Sequence, residues 1–354
     1  MAHVFVSGYT RQQLQHYVGS MEQLAGFEMA ELSDGAGRGV RTARMHNSSG
    51  LALQVLIDRG LDLSGAQFLG VPLAWVSSTG PTNPAYYDSR GMGWLRGFHG
   101  GLLMTCGLSN VGPAEVDNGE ELGLHGRLSN LPAQHVTYGG FWEGDDYTVF
   151  LQGEVRETRV FGENLLLKRQ IRARLGEPRI IIEDTVVNEG YQSSPHMLLY
   201  HINAGFPLVT PGTCLKAPSL KVTARDEDAL AGLNEHAVFE MPSAGYREQV
   251  FYHTMQADED GFVRVDLHSA VSQGDKPLGM YVRYRQAELP CFVEWKMMGQ
   301  GVYAVGLEPA TNLVSGRSKE RERDALTILK PGEQRSYYLE IGMCNTRSEL
   351  LGLT

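Results

Sequence analysis

From residue 165 to 175, Leu165, Leu167, Ile171, Ala173 and Leu175 alternate with Leu166, Lys168, Gln170, Arg172 and Arg174. Successive side chains of a strand point to opposite faces, so this period of two describes a sheet with one dry and one wet side, the common antiparallel case. Strand-like segments recur at 27–32, 40–46, 51–58, 179–188, 263–268, 280–285, 291–296, 302–307, 325–329 and 337–343, and Ile180-Ile181-Ile182 has the continuous apolar character of a buried centre. Hairpin punctuation lies between them at Gly139-Gly140, 143–146, Gly162-Glu163-Asn164, Gly176-Glu177-Pro178 and Asn188-Glu189-Gly190. The 42 glycines in 354 residues exceed the usual share, about 7%, as many short strands and tight turns require. The fold class read from this pattern is all-β, mainly antiparallel.

One helix stands out. Thr10 and Gln13 form a capping-box pattern, and Leu14, Tyr17, Val18, Met21 and Leu24 recur at helical spacing, predicting a helix over 10–24 that lids a sheet. Residues 224–234, acidic and Ala-rich, read as a short helix or an exposed loop. The organisation expected is an N-terminal helical segment, 1–25, packed on a single domain, 26–354.

Charge and cysteine usage narrow the function. A net charge of −10 without clustered Lys and Arg argues against nucleic acid as a partner. No apolar stretch approaches the length of a membrane span and no cleavable leader is evident, so neither a membrane partner nor export is expected, and the location expected is the cytoplasm. Cys106, Cys214, Cys291 and Cys344 lie far apart with no C-x-x-C, which disfavours a zinc ribbon or a thioredoxin-like motif and leaves free, buried thiols. Nothing marks Cys106 as a nucleophile. A homodimer is compatible with the sequence.

Three loops carry the chemistry. Leu122-Gly123-Leu124-His125-Gly126-Arg127 sets an imidazole and a guanidinium among glycines that let backbone approach a ligand. Tyr200-His201-Ile202-Asn203 and Gly306-Leu307-Glu308-Pro309 each put one titratable group at the end of an apolar run. Asp58-Arg59-Gly60-Leu61-Asp62 reads either as a surface ion-pair cluster or as an anchor for hydroxyl groups. The passage 86–101, with Trp94, Arg96, Phe98 and His99, is long for a loop and has the aromatic content of an ordered, functional one. His196 and His201 are five residues apart on a strand, hence on opposite faces, and cannot share a metal.

Taken in order, Asp58-Arg59-Gly60, Gly100-Gly101-Leu102-Leu103, Leu124-His125-Gly126-Arg127, Tyr200-His201-Ile202-Asn203, Trp295-Lys296 and Gly306-Leu307-Glu308-Pro309 resemble the aldose 1-epimerase (galactose mutarotase-like) superfamily, and more closely an uncharacterised bacterial branch of it. The resemblance runs from about Phe27 to the C-terminus. It implies a β-supersandwich that binds a free sugar, a small-molecule partner, and an isomerase activity interconverting its anomers with neither cofactor nor metal. By position, Glu308 matches the general base at the anomeric hydroxyl, His201 the acid at the ring oxygen, and His125 a histidine that orients the sugar. A carboxylate and an imidazolium suit a reaction in which one proton leaves as another arrives. Arg59, Arg127 and Lys296 are candidates to bind further hydroxyls or an anionic substituent. Asn203 and Trp295 complete the candidate sugar-binding set, Trp295 reading equally well as a stacking platform or core filler. The residues Pro309-Ala310-Thr311-Asn312 depart from the familiar mutarotases. Two other readings use the same fold: a carbohydrate-binding module or sensor without turnover, and a glycoside hydrolase or lyase. The hydrolase would ordinarily need a second placed carboxylic acid beside Glu308.

Overall fold

The computed structural model describes residue 6, residues 8–273 and residues 276–346. Three sheets dominate. A five-stranded meander runs in sequence order through Gly26–Glu31, Arg41–His46, Leu51–Leu56, Asp62–Phe68 and Val71–Pro72. An eight-stranded sheet has the order Cys214–Lys216, Phe262–Gln273, Lys276–Arg285, Gln334–Cys344, Arg179–Asn188, Asn164–Arg174, Asp146–Thr158 and Ala133–Glu143. The seven-stranded sheet runs Ser219–Ala224, Gln249–Met255, Cys291–Gly299, Val302–Ala310, Ser194–Gly205 and Thr327–Leu329, with Met104–Leu108 also paired to Ser194–Gly205. Neighbouring strands pair antiparallel throughout these sheets, as the alternation predicts.

Pattern turns into packing through burial of one face per strand. Along Arg179–Asn188 every second residue is buried, and Ile180, Ile182 and Val186 join Leu165, Leu167 and Ile171 of the next strand. They pack in one continuous core with Phe292, Val305 and Leu307 of the seven-stranded sheet and Met45, Leu53 and Val55 of the meander. Each such side chain contributes roughly 1.5–3 kcal/mol of transfer free energy. Ser194–Gly205 differs in being buried on both faces. Leu198, Tyr200, Ile202 and Ala204 enter the main core, while Met197 and Leu199 point the other way into a second, aromatic cluster with Trp94 and Phe98. The 86–101 passage therefore closes over the outer face of this sheet, as its aromatic content suggested.

The N-terminal helix is shorter than its apolar stripe. The capping box forms, Thr10 Oγ1 accepting from Gln13 N at 3.3 Å and Gln13 Oε1 accepting from Thr10 N at 2.8 Å. Only Arg11–Tyr17 is helical, however; Val18 is extended, and Ser20 caps a separate 3-10 turn, Met21–Gln23. Gly19 disfavours helix continuation, and the stripe has little to bury against, since Leu14 alone is buried and Tyr17 is 76% exposed. The 224–234 stretch resolves into a one-turn helix, Glu227–Ala231, capped by Asp226, followed by the 3-10 turn Leu233–Glu235. A charged helix, Arg317–Glu322, carries no apolar stripe and went unpredicted; the strand expected over 325–329 is limited to Thr327–Leu329. Among the described residues no helix is long and apolar enough to cross a membrane.

Candidate active site

The register that pairs Leu199 with Ala310 and Ile202 with Leu307 sets His201 directly opposite Glu308 on neighbouring strands. Both side chains project to the outer face, beneath the 86–101 passage. His201 Nε2 lies 3.2 Å from Glu308 Oε1. Gly306 makes this possible: a Cβ there would stand 2.5 Å from Glu308 Oε1 and 3.3 Å from His201 Cε1. Gly306→Ala is therefore expected to push the carboxyl away from the imidazole, which a change in the His201 ring ¹⁵N shifts relative to the wild type would report. Circular dichroism should stay that of the wild type, since the backbone at Gly306 is ordinary strand; unchanged His201 shifts would show that the glycine does not set the spacing.

Aromatic rings enclose the pair. Phe98 and Trp295 stand 5.4 and 5.3 Å from the His201 ring, and His125 lies 6.2 Å away with Trp94 against it at 4.9 Å. His125 adopts a left-handed backbone conformation, φ 56°, in which its N–H donates to Gly112 O and its carbonyl accepts from Gly107 N. The next residue has to be glycine, because a Cβ on Gly126 would sit 2.5 Å from the carbonyl oxygens of Gly107 and Asn110. The glycine-flanked histidine of the sequence is thus a loop pressed against a strand. Together these groups line a cleft of about 700 Å³, within the ~300–1,000 Å³ typical of small-molecule sites. Arg225 and Glu248 form its far wall, Arg225 Nη2 donating to Glu248 Oε1 at 3.0 Å and Trp295 Nε1 to Glu248 Oε2 at 2.9 Å. Two enclosed polar atoms on residues lining the cleft, His125 Nδ1 and Glu308 Oε1, make no hydrogen bond among the described residues. Buried polar atoms are nearly always satisfied, so their convergence fits a polyhydroxylated ligand.

Burial decides where the protons sit. It pushes the Glu308 carboxyl well above its usual range, with the Glu248 charge adding to the effect. It lowers His201 to about 3, assisted by His125, and His125 itself to about 4. The sequence suggested a carboxylate beside an imidazolium; burial works against both charges and favours a carboxylic acid beside a neutral imidazole. The His201 ring ¹⁵N shifts are accordingly expected to be those of a neutral imidazole from pH 8 down to pH 5. Imidazolium shifts at pH 6 would contradict this placement. Burial likewise raises the Cys106 thiol far above its ordinary value, which leaves it unreactive.

Several expected binding residues are elsewhere. Arg59 is completely buried and donates to Ser129 O, Thr82 O, Thr82 Oγ1 and Gly97 O at 2.5–2.9 Å. It is a clamp for the loops that carry Phe98 and His125, with four of its five N–H donors taken by the protein and no surface exposed to a ligand. Lys296 is on the opposite face of its strand from Trp295, where its Nζ reaches Glu235 O, Val238 O and Glu240 Oε2. Arg127 lies over the Tyr87 ring on a separate, smaller pocket. Asn203 shares the face of His201 but is wholly enclosed, its Nδ2 donating to Gly101 O at 3.1 Å. Trp295 is on the cleft wall. Arg225 and Glu248 were not foreseen: they belong to irregular, charged segments without periodicity.

The core side braces the site. Arg169 and Asp62 have fully enclosed side chains; Arg169 donates to Asp62 Oδ1 at 3.0 Å and Asp184 Oδ2 at 2.7 Å, and Asp184 accepts from Tyr200 Oη at 2.7 Å. Tyr200 immediately precedes His201, so this network fixes the strand from behind.

The comparisons with known proteins agree with this architecture. A structure of a proposed aldose 1-epimerase from Klebsiella pneumoniae superposes with a TM-score of 0.87 at 23% identity, over 98% of this chain and 89% of that one. A galactose mutarotase-like protein from Clostridium acetobutylicum gives 0.64 at 13% identity, covering 92% and 100%. Galactose 1-epimerase from Lactobacillus acidophilus gives 0.58 at 12%, covering 91% and 99%. At these identities the likeness is one of fold. No curated protein matches the chain in sequence. The family model described as a domain of unknown function, DUF4432, matches residues 37–343. The chain therefore belongs to the DUF4432 family and has the galactose mutarotase-like β-sandwich fold.

Proposed function

We propose that the protein is an aldose 1-epimerase-like isomerase that interconverts the anomers of a free monosaccharide or sugar derivative. The observation that carries this reading is the 3.2 Å contact between His201 Nε2 and Glu308 Oε1 in an aromatic cleft. Ring opening breaks the bond between the anomeric carbon and the ring oxygen; a proton leaves the anomeric hydroxyl, another reaches the ring oxygen, and the anomeric carbon becomes an aldehyde. Rotation about the adjacent carbon–carbon bond and closure in reverse give the other anomer. The protein ends with the protons it started with, which a pair holding one proton can accomplish.

With Glu308 as base and His201 as acid, that proton must be on His201 when the sugar reacts. It reaches His201 across the 3.2 Å contact once sugar hydroxyls hydrogen-bond the carboxylate and the imidazolium, offsetting the desolvation that disfavours both charges in the free protein. His125 orients the sugar, Trp295 offers a stacking face held by Glu248, and Arg225 meets a hydroxyl or an acidic substituent at the rim. A panel of neutral and acidic aldoses, screened by NMR for accelerated exchange between anomers, tests the reading. A panel in which sugars bind without acceleration would favour the sensor instead.

A further inference from the structure

We propose a second site: His236, His253 and Glu294 form a binding site for one divalent transition-metal ion of the zinc type, on the side of the sheet opposite the cleft. Glu294 and Trp295 are successive residues of Cys291–Gly299, so with Trp295 on the cleft wall Glu294 faces inward. The register pairs Phe251 with Glu294 and His253 with Phe292, which sets His253 diagonally beside Glu294 on that inner face. His236 follows the 3-10 turn Leu233–Glu235 and closes over both.

Three ligand atoms converge within 4.8 Å of one another. His236 Nδ1 is 2.7 Å and His253 Nε2 is 3.1 Å from the same carboxylate oxygen, Glu294 Oε2. Zinc bonds of ~2.0–2.1 Å separate tetrahedral ligands by roughly 3.3 Å, so only small shifts would bring these atoms around an ion. The second observation is independent. Glu294 Oε1 is buried and has no hydrogen-bond partner, while Oε2 takes both imidazoles. A wholly enclosed carboxylate with one oxygen unmatched is costly, and a cation beside it removes the imbalance.

Binding the ion involves no oxidation or reduction. An imidazole bound to the ion through one ring nitrogen carries its proton on the other, which for His253 points at Ser219 Oγ, 2.8 Å from Nδ1. That hydroxyl is the outer partner metal-bound histidines ordinarily have. Two imidazoles and one carboxylate suit Zn²⁺, Co²⁺ or Ni²⁺ in preference to Mg²⁺ or Ca²⁺. The ion would fasten the segment after Glu227–Ala231, which also receives the Lys296 ammonium through Glu235 O and Val238 O, to two strands of the sheet. Its role is architectural, so the site stands apart from the anomer reaction.

Chelator-treated protein is titrated with Zn²⁺ against a chromophoric competitor, and with Co²⁺ by visible absorption. The expected result is one high-affinity ion per chain, a raised melting temperature, and a loss of affinity of about 10²-fold or more in His236→Ala. His236 is partly exposed and the variant should fold; His135→Ala, at an exposed histidine, serves as the control and should bind as the wild type does. Absence of stoichiometric binding to the wild type, or equal affinity in His236→Ala, overturns the proposal. The Co²⁺ spectrum of the wild type reads the ligand set without any variant, and one lacking imidazole ligation overturns it too.

Discussion

Glu308→Gln is expected to lower the rate of anomer exchange by about 10²-fold or more while changing sugar affinity only modestly. The amide keeps the shape of the side chain and much of its hydrogen bonding but cannot take a proton from the anomeric hydroxyl. His201→Asn should behave similarly. Both groups handle one proton across a 3.2 Å contact, so the double variant should lose less than the product of the two single losses. Saturation-transfer NMR for exchange and calorimetry for affinity measure the two quantities separately. A Glu308→Gln protein turning over at the wild-type rate would remove Glu308 from the mechanism.

Arg169→Ala is expected to destabilise the fold by about 3–5 kcal/mol, since it leaves Asp62 and Asp184 buried without their cation. Even with Arg169 present, burial pushes the Asp62 carboxyl up to about 6. Urea unfolding should show a lower midpoint at an unchanged slope. Arg156→Ala, at the partly exposed pair with Glu189, gives the contrast and should cost no more than about 1 kcal/mol. A loss at Arg169 no larger than that at Arg156 would mean that the buried network does not brace the His201 strand.

Much of the fold was legible because a strand's period is its burial: alternation at 165–175 and 179–188 predicts both the strands and the face each presents. His125, His201, Glu308 and Trp295, which line one cleft, were legible through the order of motifs that carries the family resemblance; the expectation that His201 and Glu308 end apolar runs at turns did not hold, since both stand within strands, Ser194–Gly205 and Val302–Ala310. Charge alone misled. Arg59 and Lys296 looked like hydroxyl-binding cations, but a buried guanidinium or ammonium can be held by carbonyl oxygens, a hydroxyl and a carboxylate of the protein itself, and those partners come from residues distant in sequence. Arg225 and Glu248 sit in a stretch with no period to read. The stripe at 10–24 was genuine in sequence and still did not hold a helix beyond Tyr17, because amphipathicity stabilises only where a surface exists to pack against. Nor could spacing reveal the position of the proton in the His201–Glu308 pair, which depends on how completely the aromatic rings exclude water.

Exchange in the wild-type protein shows most directly whether this cleft turns sugars over. Wild-type protein is added to an equilibrated sugar that calorimetry shows to bind, and magnetisation transfer between the two anomeric protons is measured with and without protein. Exchange should run faster than the spontaneous rate, in proportion to protein concentration, and be suppressed in Glu308→Gln. Saturable binding of the sugar with exchange still at the spontaneous rate would contradict it.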